Sequence, residues 1–329
     1  MPSELHSNSV AAMNDDLLGP VAALDCGTNS TRLLIVDRGG RELHREMRVT
    51  RLGEGVDASH RLSTEAISRT VSVLADYQKV MQHHGVLRAR LVATSAVRDA
   101  DNGNLFLEAA EDVTGVKPEL LPGEQEGRLS FAGATADLRP LHSEIPKGVA
   151  GRELVVDIGG GSTELVVGTP GGAVDDVTAI SLDVGCVRLT ERFFSEDPIA
   201  PAALRAARKE VDGLVAQARD LLPTLPPGRV IGLAGTVSTL ASLAAGLERY
   251  DRERIHHYLL TRDEVEMWTA LLAGEDIATR AARPGMVPGR ADVIVGGLVV
   301  LAAVMEGFER RECLVSESDI LDGIVASLL

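Results

Sequence analysis

A chain of 329 residues, 45% apolar and 25% charged, is about twice the usual domain length, so two lobes with separate cores are expected and extensive disorder is excluded. Its longest apolar runs, such as 293–304, fall short of the roughly 20 residues needed to span a bilayer. A formal charge of −15 disfavours nonspecific binding to nucleic acid or to an anionic membrane, so any phosphate site must be built locally.

Residues 1–19 carry Glu4, Asp15 and Asp16 but no basic start and no continuous apolar run, and read as a flexible tail rather than a signal peptide. Apolar runs at 21–24 and 32–36 flank a polar turn and predict a hairpin of buried strands. A helix follows over 63–83, with Ser63 as its cap and Ile67, Val71, Leu74, Tyr77 and Val80 at helical spacing, and then a strand at 90–94. Another helix is predicted over 123–138, carrying Glu124, Glu126 and Arg128 in its first turns.

The breaker-rich stretch 140–151 marks the boundary between a first lobe, 20–142, and a second, 143–329. Beyond it come predicted strands at 154–157, 164–167, 178–182 and 230–233. Helices are predicted at 186–194, 201–222, 237–247, 262–272 and 293–309. Asp319 caps a final helix, expected either with the second lobe or back against the first. Cys26, Cys186 and Cys313 are odd in number and form no CxxC pair, which fits a reducing cytoplasm.

One pattern occurs twice. Asp25-Cys26-Gly27-Thr28-Asn29-Ser30-Thr31-Arg32-Leu33 and Asp157-Ile158-Gly159-Gly160-Gly161-Ser162-Thr163-Glu164-Leu165 share Asp, Gly, Ser, Thr and Leu at identical offsets, the mark of duplicated lobes. Glycines let successive N–H groups converge and the hydroxyls add donors, so two such turns facing each other can grip consecutive phosphates. A single glycine turn reads as a tight hairpin; recurrence with the same flanking residues favours the phosphate reading. Asp157 and Glu164 bracket the second turn and are natural direct or water-mediated partners for Mg2+, with Mn2+ as the substitute.

Three arginines stand near the turns in sequence: Arg98 after a predicted strand, Arg51 in Arg51-Leu52-Gly53-Glu54-Gly55, and Arg188 in Gly185-Cys186-Val187-Arg188. Each is either a phosphate ligand or half of a surface ion pair, and Arg98 is the favoured ligand. In Gly123-Glu124-Gln125-Glu126-Gly127-Arg128 an acid near the helix start either complements the dipole or orients a water, and spacing does not choose between Glu124 and Glu126.

These segments, in this order, resemble the exopolyphosphatase and guanosine pentaphosphate phosphohydrolase family, Ppx/GppA, over residues 21–329. The resemblance implies an α/β fold of two ribonuclease H-like lobes of the actin-like ATPase superfamily with a cleft between them. It implies Glu126 as the acid that activates water and Arg98 as a phosphate-contacting arginine. It also implies Asp157 and Glu164 as metal-associated acids, and Gly27, Thr28, Asn29 and Ser30 with Gly159, Gly160, Gly161, Ser162 and Thr163 as the phosphate loops. Gly232-Leu233-Ala234-Gly235-Thr236 resembles the superfamily's third loop.

The expected activity is hydrolysis of terminal phosphate from inorganic polyphosphate, with guanosine pentaphosphate of the stringent response as the alternative substrate. Thr28 replaces the more usual serine of the first loop, and the chain lacks the helical HD-like domain of longer members, which implies short polyphosphates. Rival readings are a sugar or acetate kinase of the same fold and a sensor that binds without turnover. A homodimer is compatible with all of them.

Overall fold

The computed structural model describes residues 19–138, 151–172, 176–223 and 229–329; nearly all of the expected tail and of the expected boundary stretch lies outside these. Five strands, β1 (Val21–Cys26), β2 (Ser30–Val36), β3 (Glu42–Val49), β4 (Arg88–Ala93) and β5 (Pro118–Leu120), form one sheet in the order β3-β2-β1-β4-β5. Six more, β6 (Glu153–Ile158), β7 (Thr163–Gly168), β8 (Thr178–Leu182), β9 (Val230–Leu233), β10 (Leu259–Thr261) and β11 (Glu312–Val315), form the second in the order β10-β11-β9-β6-β7-β8. Read from β8, the second sheet repeats the first and adds β10 at its edge. In both, the opening hairpin is antiparallel and the following strand, β4 or β9, joins parallel to the first. The result is an α/β protein of two lobes built on matching sheets.

Helices longer than one or two turns are α1 (Thr64–His83), α2 (Gly103–Thr114), α3 (Gly123–Ala134), α4 (Cys186–Phe193), α5 (Pro201–Leu221), α6 (Ala234–Ala244), α7 (Arg262–Ala273), α8 (Ile294–Gly307) and α9 (Ile320–Ala326). Ser63 caps α1 by accepting the Ala66 N–H, and Asp319 caps α9 in a capping box with Asp322. α2 has no counterpart among the expected helices, and two expected ones are displaced by three residues or more at an end. α3 stops at Ala134 rather than 138, because Thr135 leaves helical geometry at φ −106°. α6 begins at Ala234 rather than 237, directly from β9, through a left-handed Ala234 at φ 66°.

β1 is buried along its whole length, and the two faces of its sheet are covered by different parts of the chain. Ala22, Leu24, Leu33 and Ile35 face Leu74 and Tyr77 of α1 and Phe106 of α2. Val21, Ala23, Leu34 and Val36 face Ile320, Leu321 and Ile324 of α9. Conversely α3, which precedes the second lobe in sequence, lays Phe131 and Ala134 on Val155, Val166 and Ala179 of the second sheet. The division at 142/143 follows chain order, whereas the packing exchanges one helix across it.

The exchanged helices cross at two glycines. A Cβ on Gly133 would fall 1.9 Å from the Asp319 carbonyl oxygen, and one on Gly323 would fall 2.1 Å from that of Leu129. Among the described residues no helix is long and apolar enough to cross a membrane, and all three cysteines are buried and free.

Either Gly133→Ala or Gly323→Ala therefore overpacks the crossing and is expected to lower stability by about 1–3 kcal/mol in urea denaturation. Gly213→Ala in α5, where an added Cβ meets nothing within 4 Å, is the control, and its gain should be roughly 0.5–1 kcal/mol.

Candidate active site

The two repeats are the turns of hairpins with equivalent registers. Asp25 pairs across the ladder with Arg32, and Asp157 with Glu164. The turns close identically, Gly27 N donating to Ser30 O and Gly159 N to Ser162 O, both at 3.0 Å. Their outward carbonyls are taken up by neighbouring segments: Thr50 N and Arg51 N donate to Asn29 O, and Gly53 N to Thr28 O. On the second turn Cys186 N donates to Gly159 O, while Val187 N and Arg188 N donate to Gly160 O. With the carbonyls held back, the N–H groups of Thr28, Asn29, Gly160 and Gly161 have no backbone acceptor among the described residues. Such convergent donors form a nest for anionic oxygens.

The turns face each other at close range. A Cβ on Gly160 would lie 2.8 Å from Thr28 Cβ, and one on Gly161 would lie 2.7 Å from Ser95 Oγ and 2.9 Å from Thr28 Oγ1. Any side chain there would wedge the lobes apart. Thr28 and Ser95 share a hydrogen bond of 2.9 Å beside this contact, and Asn29 is buried with its Nδ2 unpartnered.

Four carboxylates gather below the turns. Asp157 accepts from Ser130 Oγ at 2.6 Å, and Glu164 accepts from Ser181 Oγ at 2.8 Å. Asp25 accepts both Nε and Nη2 of Arg32, whose Nη1 reaches Asp319. α3 brings the fourth: Gly127 lies over Glu164, where a Cβ would sit 3.3 Å from the Glu164 Cβ, and Glu126 then turns inward while Glu124 is exposed. Glu126 Oε2 lies 3.6 Å from Arg98 Nη1, which donates to the Leu121 carbonyl at 2.8 Å. Helical phase thus separates the two acids that spacing alone left equivalent.

Asp25 Oδ1, Glu126 Oε2 and Glu164 Oε2 are enclosed and have no hydrogen-bond partner. Burial raises the pKa of all four acids. Asp157 is pushed up to about 6, with Ser130 and Arg32 opposing the shift. Glu126 rises further through the nearby charges of Glu164, Asp157 and Asp25, and Glu164 rises through burial and Asp157. Enclosed oxygens with spare lone pairs and a strained protonation balance fit a hard cation bound by oxygen donors.

The other arginines are otherwise employed. Arg188 pairs with Asp57 and Asp99, and Arg51 with Asp292, so both arginines join the lobes through ion pairs instead of standing free for phosphate. Ser130 and Ser181 enter the site from positions that no local pattern marks, while Arg32, inside the first repeat, and Asp319, the cap of α9, meet across 287 residues of chain that no local pattern relates. Asp137, His256 and His257 form a compact group at the far end of α3. There His256 accepts the Glu317 N–H at Nδ1 and meets Asp137 through Nε2, so both ring nitrogens are occupied.

Residues 34–329 match the model of the Ppx/GppA phosphatase family. The chain belongs to that family. It is 41% identical to Exopolyphosphatase 2 of Mycobacterium tuberculosis, over 94% of this chain and 98% of that protein. A crystal structure of an exopolyphosphatase-like protein superimposes with a TM-score of 0.83 at 36% identity, covering 94% of this chain and 98% of the other. Guanosine-5′-triphosphate,3′-diphosphate pyrophosphatase of Vibrio parahaemolyticus is 30% identical over 94% of this chain, which spans 59% of that longer protein.

The acid shifts have a measurable sign. A folded-state pKa raised above 3.8 means that Asp157 stabilises the protein most when protonated, and that this contribution is lost as pH rises through about 6. Without metal, the parent should therefore lose stability relative to Asp157→Asn between pH 4 and pH 7, by up to roughly 3 kcal/mol at about 1.4 kcal/mol per unit. Parallel melting of the two proteins across that range reads the difference; parallel curves would show that Asp157 is not so desolvated.

Proposed function

We propose that the chain is an exopolyphosphatase that releases orthophosphate from the ends of inorganic polyphosphate, short chains first. The observation that carries this reading is the set of enclosed carboxylate oxygens of Glu126 and Glu164 that accept no hydrogen bond, beside two opposed turns whose N–H groups have no backbone acceptor. The first array is suited to orienting water and holding a cation, the second to gripping phosphoryl oxygens. A binding-only sensor has no use for the first.

The terminal phosphoryl group lies against Gly27, Thr28, Asn29 and Ser30 on one side and Gly159, Gly160, Gly161, Ser162 and Thr163 on the other. Their donors are fixed before substrate arrives, so little reorganisation opposes the reaction. Arg98, anchored on the Leu121 carbonyl, turns its remaining N–H groups to the phosphoryl oxygens. Glu126 orients water in line with the scissile bond and accepts its proton; a raised pKa makes it a stronger base than an exposed carboxylate. Asp157 and Glu164 would hold Mg2+, or Mn2+, which supplies charge neutralisation for the transferring phosphoryl group. The buried, unpaired cysteines support a reducing cytoplasm as the place of action.

A second reading, removal of the terminal 5′ phosphate of guanosine pentaphosphate, is favoured by one feature. A cavity of about 440 Å3 opens beside Arg32, and its walls include Met47, Tyr250, Val287 and Leu321. That is more room, and more apolar surface, than a linear phosphate chain requires.

Glu126→Gln keeps the size of the side chain and removes the base, so orthophosphate release with Mg2+ should fall about 10²- to 10⁴-fold. Glu124→Gln, on the exposed side of α3, should retain parental turnover. Measuring both variants with tripolyphosphate, long polyphosphate and guanosine pentaphosphate ranks the substrates, and equal rates for Glu126→Gln and the parent would remove Glu126 from its role.

A further inference from the structure

α3 turns one stripe of residues towards the carboxylates. Glu126, Ser130 and Gly133 stand at intervals of four and three residues, which places them on a single face of the helix. Glu126 lies at one end of the stripe beside Arg98, and Gly133 at the other, against the Asp319 carbonyl. Ser130 is fully buried between them, one turn from Glu126. In the same turn Gly127 lets the helix rest on the second sheet, where an added Cβ would fall 2.9 Å from Val166 Cγ2 and 3.3 Å from Glu164 Cβ. Close packing thus fixes the height of the stripe above the acids.

The Ser130 hydroxyl does not take the usual outlet for a hydroxyl that a helix buries. Thr70, Thr114, Thr135, Thr190, Thr239 and Thr269 each return their proton to the carbonyl four residues earlier. Ser130 donates instead across 27 residues of chain to Asp157 Oδ2, at 2.6 Å. Serine offers a helix interior no advantage over alanine, and a buried hydroxyl without a partner is costly, so Asp157 and not the helix accounts for this residue. A bond from a hydroxyl to a carboxylate is charge-assisted and directional. It decides which way Asp157 turns: Oδ2 is committed to α3, and Oδ1 is the oxygen left for a cation.

We propose that Ser130 is a positioning residue that turns Asp157 to its divalent cation, and so places that cation from the same helix that carries Glu126. This rests on the phosphoanhydride reading of the site, in which Asp157 and Glu164 would hold the metal and Glu126 orients water. Ser130 acts through Asp157 alone and not on the reacting phosphate. Glu164 is held separately, by Ser181 of β8, so α3 governs one of the two metal-holding acids. A misplacement of about 1 Å at a reacting centre can cost roughly 10²-fold in rate, which is what a common helix for cation and water-orienting acid avoids.

The test follows Mn2+ binding to the full chain, without substrate, by loss of the free-ion electron paramagnetic resonance signal. Ser130→Ala removes the hydroxyl, and Ser130→Cys nearly keeps its size while offering only a weak donor. Both should bind Mn2+ about tenfold more weakly than the parent, the loss expected when a metal-binding carboxylate is deprived of its hydrogen-bond partner. Ser130→Thr, which restores the hydroxyl, should recover most of that affinity. Thr269→Val deletes a helical hydroxyl bonded to its own backbone and should leave Mn2+ affinity unchanged. With tripolyphosphate, Ser130→Ala should need correspondingly more Mn2+ for half-maximal orthophosphate release and stay slower than the parent at saturating Mn2+.

Equal Mn2+ affinity in the parent, Ser130→Ala and Ser130→Cys, with normal hydrolysis by the parent, overturns the inference and leaves the activity standing. Weaker binding with full turnover at saturating Mn2+ overturns the placement relative to Glu126. If the parent binds Mn2+ but releases no orthophosphate, the hydrolase reading fails while the titration still decides what Ser130 does. A parent that binds no Mn2+ removes the cation from Asp157, and this role with it.

Discussion

Everything at the centre of this protein is arranged around four carboxylates that have lost water. Asp25, Asp157, Glu164 and Glu126 are each penalised by burial and crowd one another's charge, so they can share one crevice only because arginines and hydroxyls answer them. Arg32 answers Asp25, Ser130 answers Asp157, Ser181 answers Glu164 and Arg98 approaches Glu126. Asp25 Oδ1, Glu126 Oε2 and Glu164 Oε2 are the oxygens left without a hydrogen bond. Site and fold constrain each other here, since the hairpin registers place two acids and a helix from between the lobes supplies a third.

Local chemistry made much of this legible in the sequence. The two turns announce themselves because a glycine corner flanked by Asp and Ser-Thr is set by nearest neighbours, and the Ser63 and Asp319 caps are read in the same way. β3 escapes that reading because Glu42, Arg45, Glu46 and Arg48 give it the composition of a surface loop; it is a half-exposed edge strand that charge keeps from pairing with other chains. β10 has three residues and no periodicity to find. The start of α6 is hidden because Ala234 and Gly235 read as a turn, whereas the left-handed Ala234 carries β9 directly into the helix.

What stayed illegible in the site depends on distance along the chain. Arg51, Arg98 and Arg188 look alike as isolated arginines near strand ends. Asp292, Asp57 and Asp99 engage Arg51 and Arg188 across the lobes, and only the assembled cleft leaves Arg98 turned to the acids. Choosing between Glu124 and Glu126 likewise requires the phase of α3, which Gly127 sets by admitting the helix onto Glu164.

The exchange of α3 and α9 between lobes bears on how the chain is made. The outer face of the first sheet, with Val21, Ala23, Leu34 and Val36, is covered by residues near 320. A ribosome that has released the first lobe has therefore released a sheet with one apolar side bare, and it stays bare while some two hundred further residues are synthesised. Contacts of such sequence separation are slow to form and expose sticky surface meanwhile. The first lobe is not a self-sufficient unit despite its own α1 and α2, and newborn chains interrupted before α9 are the ones a chaperone would be expected to hold.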